Sequence, residues 1–178
     1  ISIVKDLDIV SKLESTNLKL TIQPFNIVEL VNDTFDLLEM EAKKRNISLL
    51  LDKQYKQPIM VVADEERIEQ VLTNLIVNSI KYGKINGTTT VSIETFENDK
   101  VLVTVKDNGE GIKEEHQKRI FERFYRVDQS RSRVQGGSGL GLSIVKHIIE
   151  AHHQEIFVKS KYMRGSEFSF TLEKAEKI

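Results

Sequence analysis

Residues 65–82 have the pattern of a two-faced helix, and that pattern dictates what must surround them. At 100° per residue, Ile68, Leu72, Leu75, Ile76 and Ile80 fall on one side, while Arg67, Gln70, Asn74, Asn78 and Lys81 lie within about 40° of a common direction on the other. The apolar side needs a packed layer beneath it; Asp64, just ahead of the helix, suits an N-cap. Asparagine is a poor interior helix residue. Two of them one turn apart, with Lys81 and Tyr82 following, suggest oxygen ligands for a hard cation beside an ammonium, although a solvated helix face would read the same way.

A second constraint lies downstream. Gly136, Gly137, Gly139 and Gly141 put four glycines in six residues, and Ile144, Val145, Ile148 and Ile149 then follow helical spacing, so a helix begins inside a glycine loop. The first N–H groups of such a helix have no intrahelical partners and form a ready phosphate site; a flexible hinge is the alternative. The run has no Gly-Lys-Ser/Thr ending and no glycine at Leu142, so it is neither a P-loop nor a dinucleotide fingerprint.

Around these two stretches the chain alternates. The spacing predicts an amphipathic helix over 3–13, a strand near 18–22, a helix over 27–45 with Val28, Val31, Phe35, Leu38 and Ala42 on one face, and a stop at Asn46. Short strands are expected over 47–51 and 59–62, a hairpin over 88–96 and 100–106 turning at Asn98 and Asp99, and a closing hairpin over 155–161 and 167–172. Asp107, at a strand end before Gly109 and Gly111, is placed to accept a hydrogen bond from a base amino group while the glycines let a ring approach; a plain turn is the alternative. Core packing accounts for Phe121 and Phe124, and the polar stretch from there to Gly137 reads as a mobile lid. Strands that cluster late among helices give an α+β architecture: an antiparallel-rich sheet covered by helices on one face.

Composition narrows the function. Across 178 residues a net charge of −1, with acids and bases intermixed, gives no electrostatic case for nucleic-acid binding. There is no cysteine, hence no disulfide framework or thiolate metal site, and no apolar run approaches the roughly 18 residues of a membrane span. The start at Ile1 rather than Met leads us to expect a piece of a longer chain.

In this order, the blocks resemble the ATP-binding catalytic domain of bacterial sensor histidine kinases, within the GHKL group of gyrase, Hsp90 and MutL. Asn74, Asn78, Lys81 and Tyr82 resemble the N box; Asp107, Gly109 and Gly111 the G1 box; Phe121, Tyr125 and Arg126 the F box; Gly137, Gly139 and Gly141 the G2 box. The resemblance implies a Bergerat-type two-layer sandwich over 18–178, with residues 1–17 the end of the second helix of a dimerisation and phosphotransfer domain. It implies Mg²⁺ held at Asn74 and Asn78, phosphates at Lys81 and Tyr82, adenine at Asp107 with Gly109 and Gly111 beside it, and further cofactor contacts from Ile112, Phe121 and Tyr125. Arg126 would reach the γ-phosphate, and the backbone of Gly137, Ser138, Gly139, Leu140, Gly141 and Leu142 would wrap the phosphate tail. Asn78, Lys81 and Arg126 would then serve catalysis. Implied partners are the chain's own dimerisation domain in a homodimer and a response-regulator receiver domain, in the cytoplasm, with neither nucleic acid nor direct membrane contact. A nucleotide-free scaffold of the same fold is the alternative function.

The chain departs from the family pattern in places. Ser138 replaces a usual Thr, Met163 the first glycine of a closing Gly-x-Gly, and His153 with Gln154 a common Gly-Gly helix stop, so that helix end is expected to be less well capped. The phosphoacceptor histidine would precede Ile1; His116, His147, His152 and His153 read as surface or capping residues. In the ATPase members a glutamate one turn before the metal-binding Asn activates water; Asn74 stands there and cannot take a proton.

Overall fold

The computed structural model describes residues 18–128 and 137–176, together with Val4, Leu7, Asp8 and Ser11, which are helical. The rest of the expected helix over 3–13 and most of the expected lid lie outside the described residues. The described elements run β1 (Gln23–Asn26), α1 (Ile27–Lys44), β2 (Ser48–Leu51), β3 (Met60–Ala63), α2 (Glu65–Tyr82), β4 (Thr88–Phe96), β5 (Lys100–Asp107), α3 (Glu114–Gln117), α4 (Gly141–Ala151), β6 (Ile156–Lys161) and β7 (Gly165–Lys174).

Local chemistry sets the ends of the helices. The Asn26 carboxamide oxygen accepts from the N–H groups of Val28 at 3.1 Å and Ile59 at 3.2 Å, starting α1 and tying it to the segment before β3. Asp64 accepts from Arg67 N–H at 3.1 Å and from Thr21 N–H at 2.9 Å. Both α1 and α4 end in a residue of left-handed conformation, Asn46 at φ 51° and His153 at φ 56°. After α4, the N–H of His153 donates to Glu150 O and that of Gln154 to Ile149 O, the two bonds of a Schellman cap. The weakness expected at this end lies in the backbone and not in missing bonds: both cap bonds form without glycine, with a histidine held in the left-handed region. His152 donates from Nδ1 to Ile148 O at 2.7 Å and accepts Asp64 N–H on Nε2 at 3.0 Å, joining the end of α4 to the start of α2.

The strands form one mixed, mostly antiparallel sheet in the order β1-β3-β7-β5-β4-β2; only β2 runs parallel to its neighbour. β7 pairs along one edge with β5 and divides its other edge, β6 taking residues 165–170 and β3 taking 173–174. α2 lies between α1 and α4 on one face. Beneath them Val91, Ile93, Val101, Val103, Val105, Phe168, Phe170 and Leu172 are buried, each contributing roughly 1.5–3 kcal/mol of hydrophobic transfer energy. The other face is polar, as in the Thr104–Ser169 hydroxyl pair at 2.8 Å and the Lys106–Glu167 ion pair. Past the end of β2 the Tyr55 hydroxyl takes over as neighbour of β4, accepting Ile93 N–H at 2.7 Å and donating to Asp52 at 2.6 Å.

Two expectations shift. The first strand lies at Gln23–Asn26 rather than over 18–22, and it accommodates Pro24 because β1 is an edge strand with one neighbour. Phe124, expected in the core, is 58% exposed with φ 59°.

Candidate functional site

The polar stripe of α2 faces a cavity of about 490 Å³ closed by the loop after β5, the segment before residue 129, the glycine loop and the β6–β7 turn. Asn74, Asn78, Lys81, Tyr82, Asp107, Gly111, Ile112, Tyr125, Arg126, Gly137, Ser138, Gly139, Gly141 and Leu142 all line it. Arg67 and Gln70, on the same stripe, pair with each other instead. Three of the expected site residues stand behind the wall. Leu140 is fully buried in the core, Phe121 packs edge-on against Phe168 with centroids 6.2 Å apart, and Gly109 lies under Tyr82. A β-carbon on Gly109 would stand 2.2 Å from Tyr82 O, so only glycine lets this turn pass beneath the end of α2.

Charge in the cavity is sharply distributed. Asp107 is 7% exposed and accepts Gly109 N–H at 2.8 Å. Burial pushes its carboxyl above the ordinary carboxylate value, while hydrogen bonds from the backbone at Gly109 and Ser166 pull the other way. Lys81 and Arg126 converge on Gly137: a β-carbon there would stand 2.6 Å from Lys81 Nζ and 3.8 Å from an Arg126 terminal nitrogen. Gly137 has φ 122°, outside the range that L side chains readily adopt. Burial, and after it the neighbouring Arg126 guanidinium, lower the Lys81 pKa from its ordinary value. Burial raises the pKa of Tyr82, whose ring lies 5.2 Å from Lys81 Nζ. Asn74 Nδ2 donates to Gly141 O at 3.4 Å, tying the stripe to the start of α4.

The cavity also recruits residues that sequence reasoning left aside, among them Glu110, Lys113, His116, Ile120, Tyr162 and Ser166. Tyr162 and Ser166 come from the closing hairpin, far along the chain. His116 is hydrogen bonded through Nδ1 to the Tyr125 hydroxyl, so the surface role expected for it is corrected. A four-residue helix carries no apolar periodicity that could have announced it.

Comparison with known proteins places the chain. The family described as histidine kinase-, DNA gyrase B-, and HSP90-like ATPase matches residues 63–176. The sensor histidine kinase WalK of Bacillus subtilis is 35% identical over 173 residues, 97% of this chain but 28% of the relative, so the chain spans less than a third of that protein. Among solved structures, full-length ShkA in complex with AMPPNP superposes with a TM-score of 0.87 at 26% identity, covering 99% of this chain and 36% of that one. The histidine kinase ThkA in complex with the response regulator protein TrrA gives 0.76 at 30% identity, covering 98% and 48%. The chain belongs to the histidine kinase-, DNA gyrase B- and HSP90-like ATPase family, and within it to the catalytic domains of sensor histidine kinases.

Proposed function

We propose that this domain binds Mg·ATP and donates the γ-phosphoryl group to a histidine of a dimerisation and phosphotransfer domain, for relay to a response-regulator aspartate. The observation that carries this reading is the convergence of Lys81 and Arg126 on Gly137 in a cavity that also holds a buried carboxylate, Asp107. The Asp107 carboxylate would accept a hydrogen bond from the adenine amino group; guanine presents a carbonyl there and would be repelled. Lys81 and Arg126 would take the phosphates, relieving their mutual repulsion. Their charge neutralises the oxygens of a transferring phosphoryl group, and phosphoryl transfer depends mainly on such positioning and neutralisation.

The amide oxygens of Asn74 and Asn78 suit a hard cation. Among the described residues no three His, Asp or Glu side chains are grouped to hold a metal by themselves, so Mg²⁺ would be carried largely by phosphate oxygens and water, and its chemistry would be to neutralise phosphate charge. With an amide at Asn74, no carboxylate of α2 lines the cavity to activate water, and transfer would await an imidazole nitrogen that attacks phosphorus as the bond to the bridging oxygen breaks.

The partners follow from the same reading: residues 1–17 would belong to the dimerisation domain, residues 18–178 would form the catalytic unit, and a receiver domain would engage the assembled kinase. The ThkA complex with a response regulator supports the last point by analogy. Among the described residues no helix is long and apolar enough to cross a membrane.

The test is incubation with γ-labelled ATP and Mg²⁺, with and without the phosphoacceptor hairpin of the same parent. Label should appear on the hairpin alone. Rapid phosphate release without the hairpin would point to a gyrase-like ATPase, and the absence of any thermal shift with saturating Mg·ATP would point to a scaffold. A hundredfold excess over Kd should stabilise by about 2.7 kcal/mol.

A further inference from the structure

The place of Arg126 beside Gly137 is set by the turn that carries it. Arg126 ends a strained turn: Phe124 has φ 59°, unfavourable for a bulky side chain, and its N–H donates to Gly139 O at 3.0 Å. The next residue, Tyr125, is gripped through its side chain. The Arg119 guanidinium lies 4.4 Å from its ring centroid, and its hydroxyl is hydrogen bonded to His116 Nδ1. His116 stands on α3, which is itself anchored: Gln117 Nε2 donates to Ile112 O at 2.8 Å and to Ser160 O at 3.0 Å. A continuous path therefore runs from β6 through α3 and His116 to Tyr125 and on to the guanidinium.

We propose that His116 is a positioning residue of the phosphate site, fixing the 124–126 turn through the Tyr125 hydroxyl and so setting the distance of Arg126 from the terminal phosphate. The proposal rests on the Mg·ATP reading. Because Arg126 would meet the last phosphate, loosening the turn should weaken a triphosphate more than a diphosphate; a merely structural histidine would weaken both alike.

The experiment is calorimetric titration with AMPPNP and with ADP, each with Mg²⁺, on the wild-type domain and on His116→Leu and His116→Asn. The Asn amide reproduces the position of Nδ1. His116→Leu should lose roughly tenfold in AMPPNP affinity and less than about threefold in ADP affinity, and His116→Asn should restore most of the difference. In a Tyr125→Phe background, itself selectively weakened for AMPPNP, His116→Leu should cost nothing further, because both substitutions remove the same bond. That selectivity in Tyr125→Phe keeps the proposal open to refutation even if His116→Leu does not fold. Equal losses for the two nucleotides, additive losses in the double variant, or unchanged affinity would overturn the proposal. Wild-type protein that binds neither nucleotide would instead overturn the Mg·ATP reading beneath it.

Discussion

Replacing His153 by glycine should stabilise the domain by about 0.5–1 kcal/mol. His153 follows α4 at φ 56°, and the two hydrogen bonds that close the helix there, to Glu150 O at 2.9 Å and from Gln154 to Ile149 O at 3.0 Å, are made by backbone and survive any side-chain change except proline. The His153 side chain itself is exposed. A β-carbon in the left-handed region costs about 1–2 kcal/mol, and glycine gives back about 0.5–1 kcal/mol through its greater freedom in the unfolded chain. The balance favours glycine. For a domain of this length 1 kcal/mol corresponds to about 2–4 °C in Tm, so scanning calorimetry should show a rise of about 1–4 °C. His153→Ala keeps the β-carbon and should show no such gain. A glycine variant melting at or below the wild type, or an alanine variant matching it, would refute the strain argument.

Two further outcomes follow from buried polar groups. Because Asp107 has a folded-state pKa above its unfolded value of about 3.9, its charged form opposes folding; its contribution is most favourable below that value and declines as pH rises through the folded pKa. Asp107→Asn should therefore gain stability relative to wild type between acid and neutral pH in melts of the ligand-free domain while losing at least about tenfold in ATP affinity, and a variant that keeps ATP affinity would remove Asp107 from the site. Tyr55→Phe should leave Ile93 N–H without its partner and cost about 1–3 kcal/mol, read as a lower urea midpoint with an unchanged slope. Burial, followed by the bond to Asp52, pushes the Tyr55 pKa up to about 12, so its contribution holds below the unfolded value of about 10 and is lost as pH rises through 12; the gap between variant and wild type should close only in strong alkali.

What the sequence made legible was whatever a single element carries. α2 runs Glu65–Tyr82 as its two faces require, and the β4–β5 hairpin turns at Asn98 and Asp99, both at φ 56°. The stripe of Asn74, Asn78 and Lys81 was visible for the same reason. β1 was displaced because residues 18–22 alternate as well as a strand does, and only the pairing with β3 decides between them. Phe124 was misjudged because its contact with Gly139 is a backbone bond that no hydrophobicity pattern encodes. His116 reaches the cavity from α3, and Tyr162 and Ser166 from the closing hairpin, so their convergence is a property of the tertiary fold; nothing in their own neighbourhoods marks them.

The last strand of this domain is also the one on which its sheet depends. Pairing with β3, β5 and β6 at once, Gly165–Lys174 must exist before any of the three is complete. On a ribosome adding about 5–20 residues per second, roughly 70 residues separate the end of β5 from the end of β7, an interval of about 3–13 s. During that time β4 and β5 can close their hairpin, but the outer edge of β5 stays open, an apolar strand with unpaired N–H and C=O groups that a second nascent chain can extend. Nucleotide offers no rescue then, since Ser166, which lines the cavity and bonds Asp107, belongs to the same late strand. Chaperone demand during synthesis should thus be set by how quickly these ten residues emerge, largely independently of how stable the finished domain is.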